Sequence, residues 1–210
     1  MGRRIELEGD APVEVAELQP GTEPWTFFGR ADAGRPVELE IGPGKGAFLL
    51  AAAERWPEHD FLAVEHARAL AMKVAQRAER RERSNVRLAI GDAKELVRSL
   101  ADACLHRVHV YCPDPWPKRK HHKHRLFAPP FAAELLRVLR PGGELLFTSD
   151  HDPYFREVVA RLAGEPGWVR VTPEERFDDI PAGGFDAIFE AGGVPVFEAA
   201  WQRAVDESVA

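Results

Sequence analysis

Four acids stand where chemistry is easiest to place: Glu40, Glu65, Asp92 and Asp114. Each ends or follows a short apolar run that reads as a strand, over Val37–Ile41, Phe61–Val64, Val86–Ile90 and Arg107–Tyr111. Ligands of open α/β sheets collect outside the carboxyl ends of the strands. Four carboxylates on consecutive strand ends would therefore line one edge. Glu65 can accept both hydroxyls of a ribose there. Asp92 can accept from the amino group of an adenine, or it can cap the helix that follows it.

The first strand runs into Glu40-Ile41-Gly42-Pro43-Gly44-Lys45-Gly46, a tight turn opening a helix. Gly42, Gly44 and Gly46 let backbone come close to a ligand, and the helix start favours a negative group. Gly42, Gly44 and Ala47 also fit the dinucleotide pattern, with Glu65 about twenty residues on. Glu40 argues against that ligand. A carboxylate ahead of the glycines repels a pyrophosphate and suits a cation, such as a sulfonium carrying an ammonium group. S-adenosylmethionine is thus expected over a nicotinamide cofactor. A turn of purely structural use remains the plain alternative.

Past Tyr111 the chain reads Cys112-Pro113-Asp114-Pro115-Trp116-Pro117-Lys118-Arg119-Lys120-His121-His122-Lys123-His124-Arg125. Three prolines forbid helix and central strand and predict a stiff loop. The loop shows one carboxylate, one indole and the cations Lys118, Arg119, Lys120, Lys123 and Arg125. Such a run is usually a solvated face; beside a site it reads as a grip on a polyanion. His121, His122 and His124 lie among like charges, with no Cys or carboxylate completing a set, so no metal is expected. Trp116 reads as packed under the loop, and Cys112 as a small buried residue.

These residues need elements to hold them. Helices are expected over 45–56, 67–83, 93–100, 129–139 and 153–162, and further strands over 144–148, 168–172 and 196–201. Strand and helix alternate with short connections. That predicts an α/β, Rossmann-like, doubly wound, mostly parallel sheet of about seven strands with helices on both faces. The late strands lack a crossover helix, since 173–193 is rich in Pro, Gly and acids, so one of them should join antiparallel at an edge. Residues 1–35 read as an N-terminal arm pinned by Trp25, Phe27 and Phe28, and residues 36–210 as one domain.

A chain of 210 residues with 45% hydrophobic and 30% charged content suits one such core. No apolar run long enough to span a membrane is present, and Met1–Glu6 lacks the apolar region of a secretory signal. The two cysteines, Cys104 and Cys112, make no disulfide framework, which points to the cytoplasm. The net charge of −6 disfavours a protein coated all over with nucleic acid and leaves room for a local basic face. Arg77, Arg80, Arg81, Arg83 and Arg87 form a second cationic group. The sequence is compatible with a monomer or a homodimer.

The chain resembles the bacterial tRNA (guanine-N7)-methyltransferases, class I S-adenosylmethionine-dependent enzymes acting on guanine 46 of tRNA. The resemblance runs from about Pro36 to Arg203 and rests on Glu40–Gly46, on Asp114–Lys118 with His122–Leu126, and on Thr148-Ser149-Asp150-His151. The Asp114 loop is the part specific to that family. The resemblance implies that Glu40, Glu65, Asp92 and Asp114, with Gly42, Gly44 and Gly46, contact the cofactor. As a methyl group moves to guanine N7, positive charge passes to the imidazole ring, and a nearby carboxylate, Asp114 or Asp150, would follow it; Asp114 is expected to be catalytic on that ground. The resemblance further implies that Lys118 and Asp150 contact tRNA or its guanine, joined by Arg119, Lys123, Arg125 and Glu190. The family carries a threonine three residues before that glutamate, where this chain has Ala187. A non-catalytic binder of cofactor and RNA is therefore the main alternative, and a nicotinamide-dependent oxidoreductase a more distant one.

Overall fold

A computed structural model describes residues 11–173 and 195–205. The strands are β1 (Val13–Glu14), β2 (Val37–Ile41), β3 (Asp60–Glu65), β4 (Val86–Ile90), β5 (Leu105–Tyr111), β6 (Leu139–Ser149), β7 (Trp168–Val171) and β8 (Phe197–Arg203). The helices are α1 (Ala47–Arg55), α2 (Arg68–Arg80), α3 (Ala93–Ser99), α4 (Phe131–Val138) and α5 (Asp152–Ala163). They build one eight-stranded sheet in the order β1-β4-β3-β2-β5-β6-β8-β7. The chain runs outward from β2 to one side through β3 and β4, then returns and runs to the other side through β5 and β6. The gap between β2 and β5 is thus the point where the winding reverses, and it is there that ligands of such sheets sit.

Alternation along the strands sorts the side chains onto two faces. Val37, Leu39, Ile41, Val108, Val110, Leu145 and Phe147 pack with Leu96, Leu135, Tyr154 and Val158 from α3, α4 and α5. The other face holds Phe61, Ala63, Leu88 and Leu146 against Phe48, Leu49, Val74 and Ala78 from α1 and α2. Gly46, at the start of α1, packs against α2. It adopts φ +71°, and a Cβ there would lie 2.6 Å from Val74 Cγ1, so only glycine fits without moving α2.

Three details differ from the pattern. The eighth strand is β1, a two-residue piece of the arm paired parallel with β4; Val13, Val15 and Phe27 enter the main core, while Trp25 and Phe28 are half-buried. The antiparallel strand is β8, which pairs with β6 on one side and β7 on the other, so the outermost place goes to β7. β7 follows α5 and lands in the direction of β6 one strand away, and β8 then fills the gap from the opposite direction. Finally, β6 begins at Leu139, opposite Leu105, and residues 140–143 bulge out before Glu144 rejoins opposite Arg107.

Candidate active site

The carboxyl ends of β2, β3, β4 and β5 open onto a cavity of about 500 Å³, within the range of small-molecule sites. Gly42, Glu65, Asp92, Tyr111 and Asp114 all line it. Gly42 has φ +73°, a conformation that turns the chain off β2 and leaves bare backbone at the cavity wall. Glu65 ties two turns together: Oε2 accepts from the Gly44 amide at 3.3 Å and Oε1 from the Ala67 amide at 2.8 Å. Asp92 caps α3 through Oδ1, which accepts from Lys94 N at 2.7 Å. The capping reading of Asp92 is therefore correct, and the same carboxylate also faces the cavity. Asp114 is exposed on the rim.

Glu40 lies behind this wall. It is 2% exposed, and its Oε2 is buried with no hydrogen-bond partner among the described residues. Burial, with the Glu65 charge second, pushes its carboxyl up to about 8. Two residues earlier on the same face, Glu38 has the opposite fate. Burial alone would raise it, but His109 Nε2 and His59 Nδ1, each at 2.6 Å, hold it well below the usual carboxylate range. Burial outweighs the pull of Glu38 on His109 and lowers its pKa, which favours the neutral ring. With its Nε2–H donating to Glu38, its Nδ1 accepts from the Tyr111 hydroxyl at 2.8 Å. Phe48 closes over both rings. A buried polar chain thus runs from partly exposed His59 to Tyr111 on the cavity wall.

The loop after β5 forms neither helix nor strand as far as Pro117, and its basic part then winds into a 3₁₀ helix, Arg119–His124, with Lys118 at its N-terminal boundary. The prolines exclude helix only up to Pro117, and the residues beyond it are free to turn. Lys118, Arg119, Lys120 and Lys123 are exposed. Arg125 is not. The expectation that it contacts substrate is corrected by its 4% exposure. Its Nε donates to Pro115 O at 2.8 Å, its guanidinium pairs with Glu157, and it lies over the Tyr154 ring at 5.0 Å. A planar group with five donors suits loop carbonyls, and its sign alone did not reveal this. Trp116 lines the cavity, with His121 and His124 packed against its ring. Cys112 and Trp116 both carry φ +44°, strain held at the two ends of the Asp114 segment.

Lys118 and Asp150 are exposed and do not line the cavity. Burial raises the Cys112 thiol against a hydrogen bond to Thr148, and Asp150 lies close enough to act on it through both its charge and its backbone. Among the second cationic group, Arg77 donates to Lys45 O at 2.7 Å, Arg83 pairs with Glu54, and Arg87 lies over Phe28. Among the described residues no group of three His, Cys, Asp or Glu could hold a metal ion, and no helix is long and apolar enough to cross a membrane.

A family model described as "Putative methyltransferase" matches residues 34–207. A tRNA (guanine-N(7)-)-methyltransferase of Rhodopirellula baltica is 34% identical, covering 94% of this chain and 76% of that protein. One of Geobacter metallireducens is 33% identical over 84% of this chain and 83% of its own length. The chain belongs to the tRNA (guanine-N7)-methyltransferase family. Among solved structures, the 16S rRNA methyltransferase KamB aligns with a TM-score of 0.60 at 16% identity, covering 92% of this chain and 99% of that one. The methyltransferase Kmr aligns at 0.55 and 18%, covering 83% and 90%. Both share the fold.

Family membership throws the remaining residues into relief. Glu190 and Ala187 lie outside the described residues. Lys94 and Tyr111 line the cavity and were missed. Lys94 carried no signal beyond following Asp92 by two; its Nζ donates to Arg125 O at 3.0 Å and joins α3 to the loop. Tyr111 ends an apolar strand and is 6% exposed, while its hydroxyl belongs to the buried polar chain.

Proposed function

We propose that this protein transfers the methyl group of S-adenosylmethionine to N7 of guanine 46 in tRNA. The observation that carries the reading is the meeting of Glu65, Asp92 and Asp114 around one cavity beside an exposed cationic helix. When bound, S-adenosylmethionine supplies a methyl group already activated by its sulfonium. The residues fit that molecule: Glu40 Oε2 is a buried acceptor without a donor among the described residues, as a site for a cationic group requires. Glu65 and Asp92 offer acceptors to ribose hydroxyls and an adenine amino group, and Gly42, Gly44 and Gly46 shape the turn beside them.

Guanine N7 has a lone pair and no proton, so no side chain has to act as a base. The protein's task is to hold N7 in line with the reacting carbon, an effect worth about 7–11 kcal/mol at best. Asp114 on the rim orients the purine and faces the positive charge that grows on its imidazole ring. Asp150 supports the guanine alongside it, Glu190 is the family's further contact, and Lys118, Arg119 and Lys123 hold phosphates. Arg125 acts from beneath, by fixing the loop that carries Asp114. This reading makes tRNA the partner and the cytoplasm the compartment, with residues 36–210 as the methyltransferase domain.

Transfer of labelled methyl to unmodified tRNA tests it. Label is expected in a transcript with guanine at 46 and lost when that base is adenine. Asp114→Asn should lose transfer and keep tRNA binding. Label on another base or on protein, or full activity in Asp114→Asn, defeats the proposal. Tight binding of tRNA and cofactor without any transfer would favour the non-catalytic reading that Ala187 motivates.

A further inference from the structure

A second cavity, of about 140 Å³, adjoins the first and is lined by Lys94, Arg98, Lys123, Pro129, Phe131 and Glu134, among others. Lys94 lines both cavities. Lys94 and Arg98 are four residues apart on α3 and therefore share a face. Lys123 comes down from the 3₁₀ helix. Among the described residues none of the three forms an ion pair with a carboxylate. The one acid in the wall, Glu134, is engaged by Arg137 at 3.0 Å. Lys94 is held in place by its bond to Arg125 O.

Three cations without counter-ions around one small cavity call for an anion. The space is too small for a base with its sugar and suits a phosphate with its ester oxygens. Pro129 and Phe131 add an apolar wall for a sugar carbon. The geometry points to a phosphodiester-binding subsite made by Lys94, Arg98 and Lys123, which seats an RNA backbone phosphate next to the nucleotide entering the main cavity. The inference rests on tRNA being the substrate. It assigns α3, an element otherwise occupied with the cofactor side, to gripping RNA.

Arg98 is exposed and lines only the second cavity, so Arg98→Gln is the variant to test, with Arg98→Lys as the charge-conserving control. tRNA affinity is measured against salt for each, together with the cofactor dissociation constant. The wild-type slope of log affinity against log salt should flatten by roughly 0.7–0.9 in Arg98→Gln, the loss of one phosphate contact. Arg98→Lys should retain the slope, and cofactor binding should be unchanged in both. An Arg98→Gln slope equal to wild type overturns the subsite. Inorganic phosphate provides the second arm. Competition with tRNA that is lost in Arg98→Gln supports the assignment; phosphate binding with an unchanged tRNA slope marks a site for free anions and overturns it. If wild-type protein binds no tRNA at all, the functional reading fails instead, and the two failures are distinct.

Discussion

Glu40 gives the sharpest test of how the site is built. Its carboxyl, ordinarily near 4.5, is pushed up to about 8 by burial and by the Glu65 charge. Between those values the folded protein keeps a proton that the unfolded chain releases. Unfolding free energy therefore falls as pH rises through this window and levels off above it. At 1.36 kcal/mol per unit, Glu40 alone should remove about 2–3 kcal/mol of stability between pH 5 and pH 7. Glu40→Gln keeps the shape, cannot ionise and should abolish that slope. The assay is urea denaturation of both proteins at pH 5, 6, 7 and 8, because their difference cancels every other titrating group. The gap should widen in favour of Glu40→Gln by about 2–3 kcal/mol from pH 5 to pH 7. Parallel curves would refute the buried, protonated Glu40. A linked result concerns binding: a cationic group reaching Glu40 would expel its proton. Titration calorimetry at pH 7 in buffers of different ionisation enthalpy should find close to one proton released by wild type and none by Glu40→Gln.

Lys118→Ala should weaken tRNA binding without lowering the melting temperature, and the four exposed loop cations should contribute roughly −3 to −4 to the log–log salt slope of the wild type. Arg125→Ala should behave in reverse: about 2–3 kcal/mol less stable in urea, since a buried guanidinium bonded to carbonyls and to Glu157 is lost, with the salt slope unchanged. A salt slope that moves in Arg125→Ala would return it to the RNA surface. Gly46→Ala should destabilise by more than about 1 kcal/mol through its positive φ and the contact with Val74. Adding Val74→Ala should relieve only the second of these, and a neutral Gly46→Ala would show that α2 can move.

The fold was legible because its signals are local. Period-two apolar runs, capped helices and Pro-Gly punctuation placed β2 to β6 and α1 to α5 within a few residues. Their alternation left little choice but a parallel sheet. The position of β8 was not legible, because which of two late strands lies outermost depends on a crossover landing and not on either strand's composition. The 3₁₀ winding of the basic run was hidden for a related reason, since proline excludes helix only in its own neighbourhood.

Within the site, residue type and strand position alone determined that Glu65, Asp92 and Asp114 would share one edge, because strand ends of a parallel sheet point the same way. The resemblance carried by the Asp114 loop was legible in the sequence as well. Only the tertiary structure decided what each charge faces. Glu38 and Glu40 are two residues apart on one strand, yet one meets two imidazoles and stays ionised while the other meets none and is pushed towards neutrality. Arg125 and Lys118 look alike in the chain, yet one braces the loop from within and the other stands in solvent. A charge is a property of the residue, but its partner and its distance from water are properties of the packed fold.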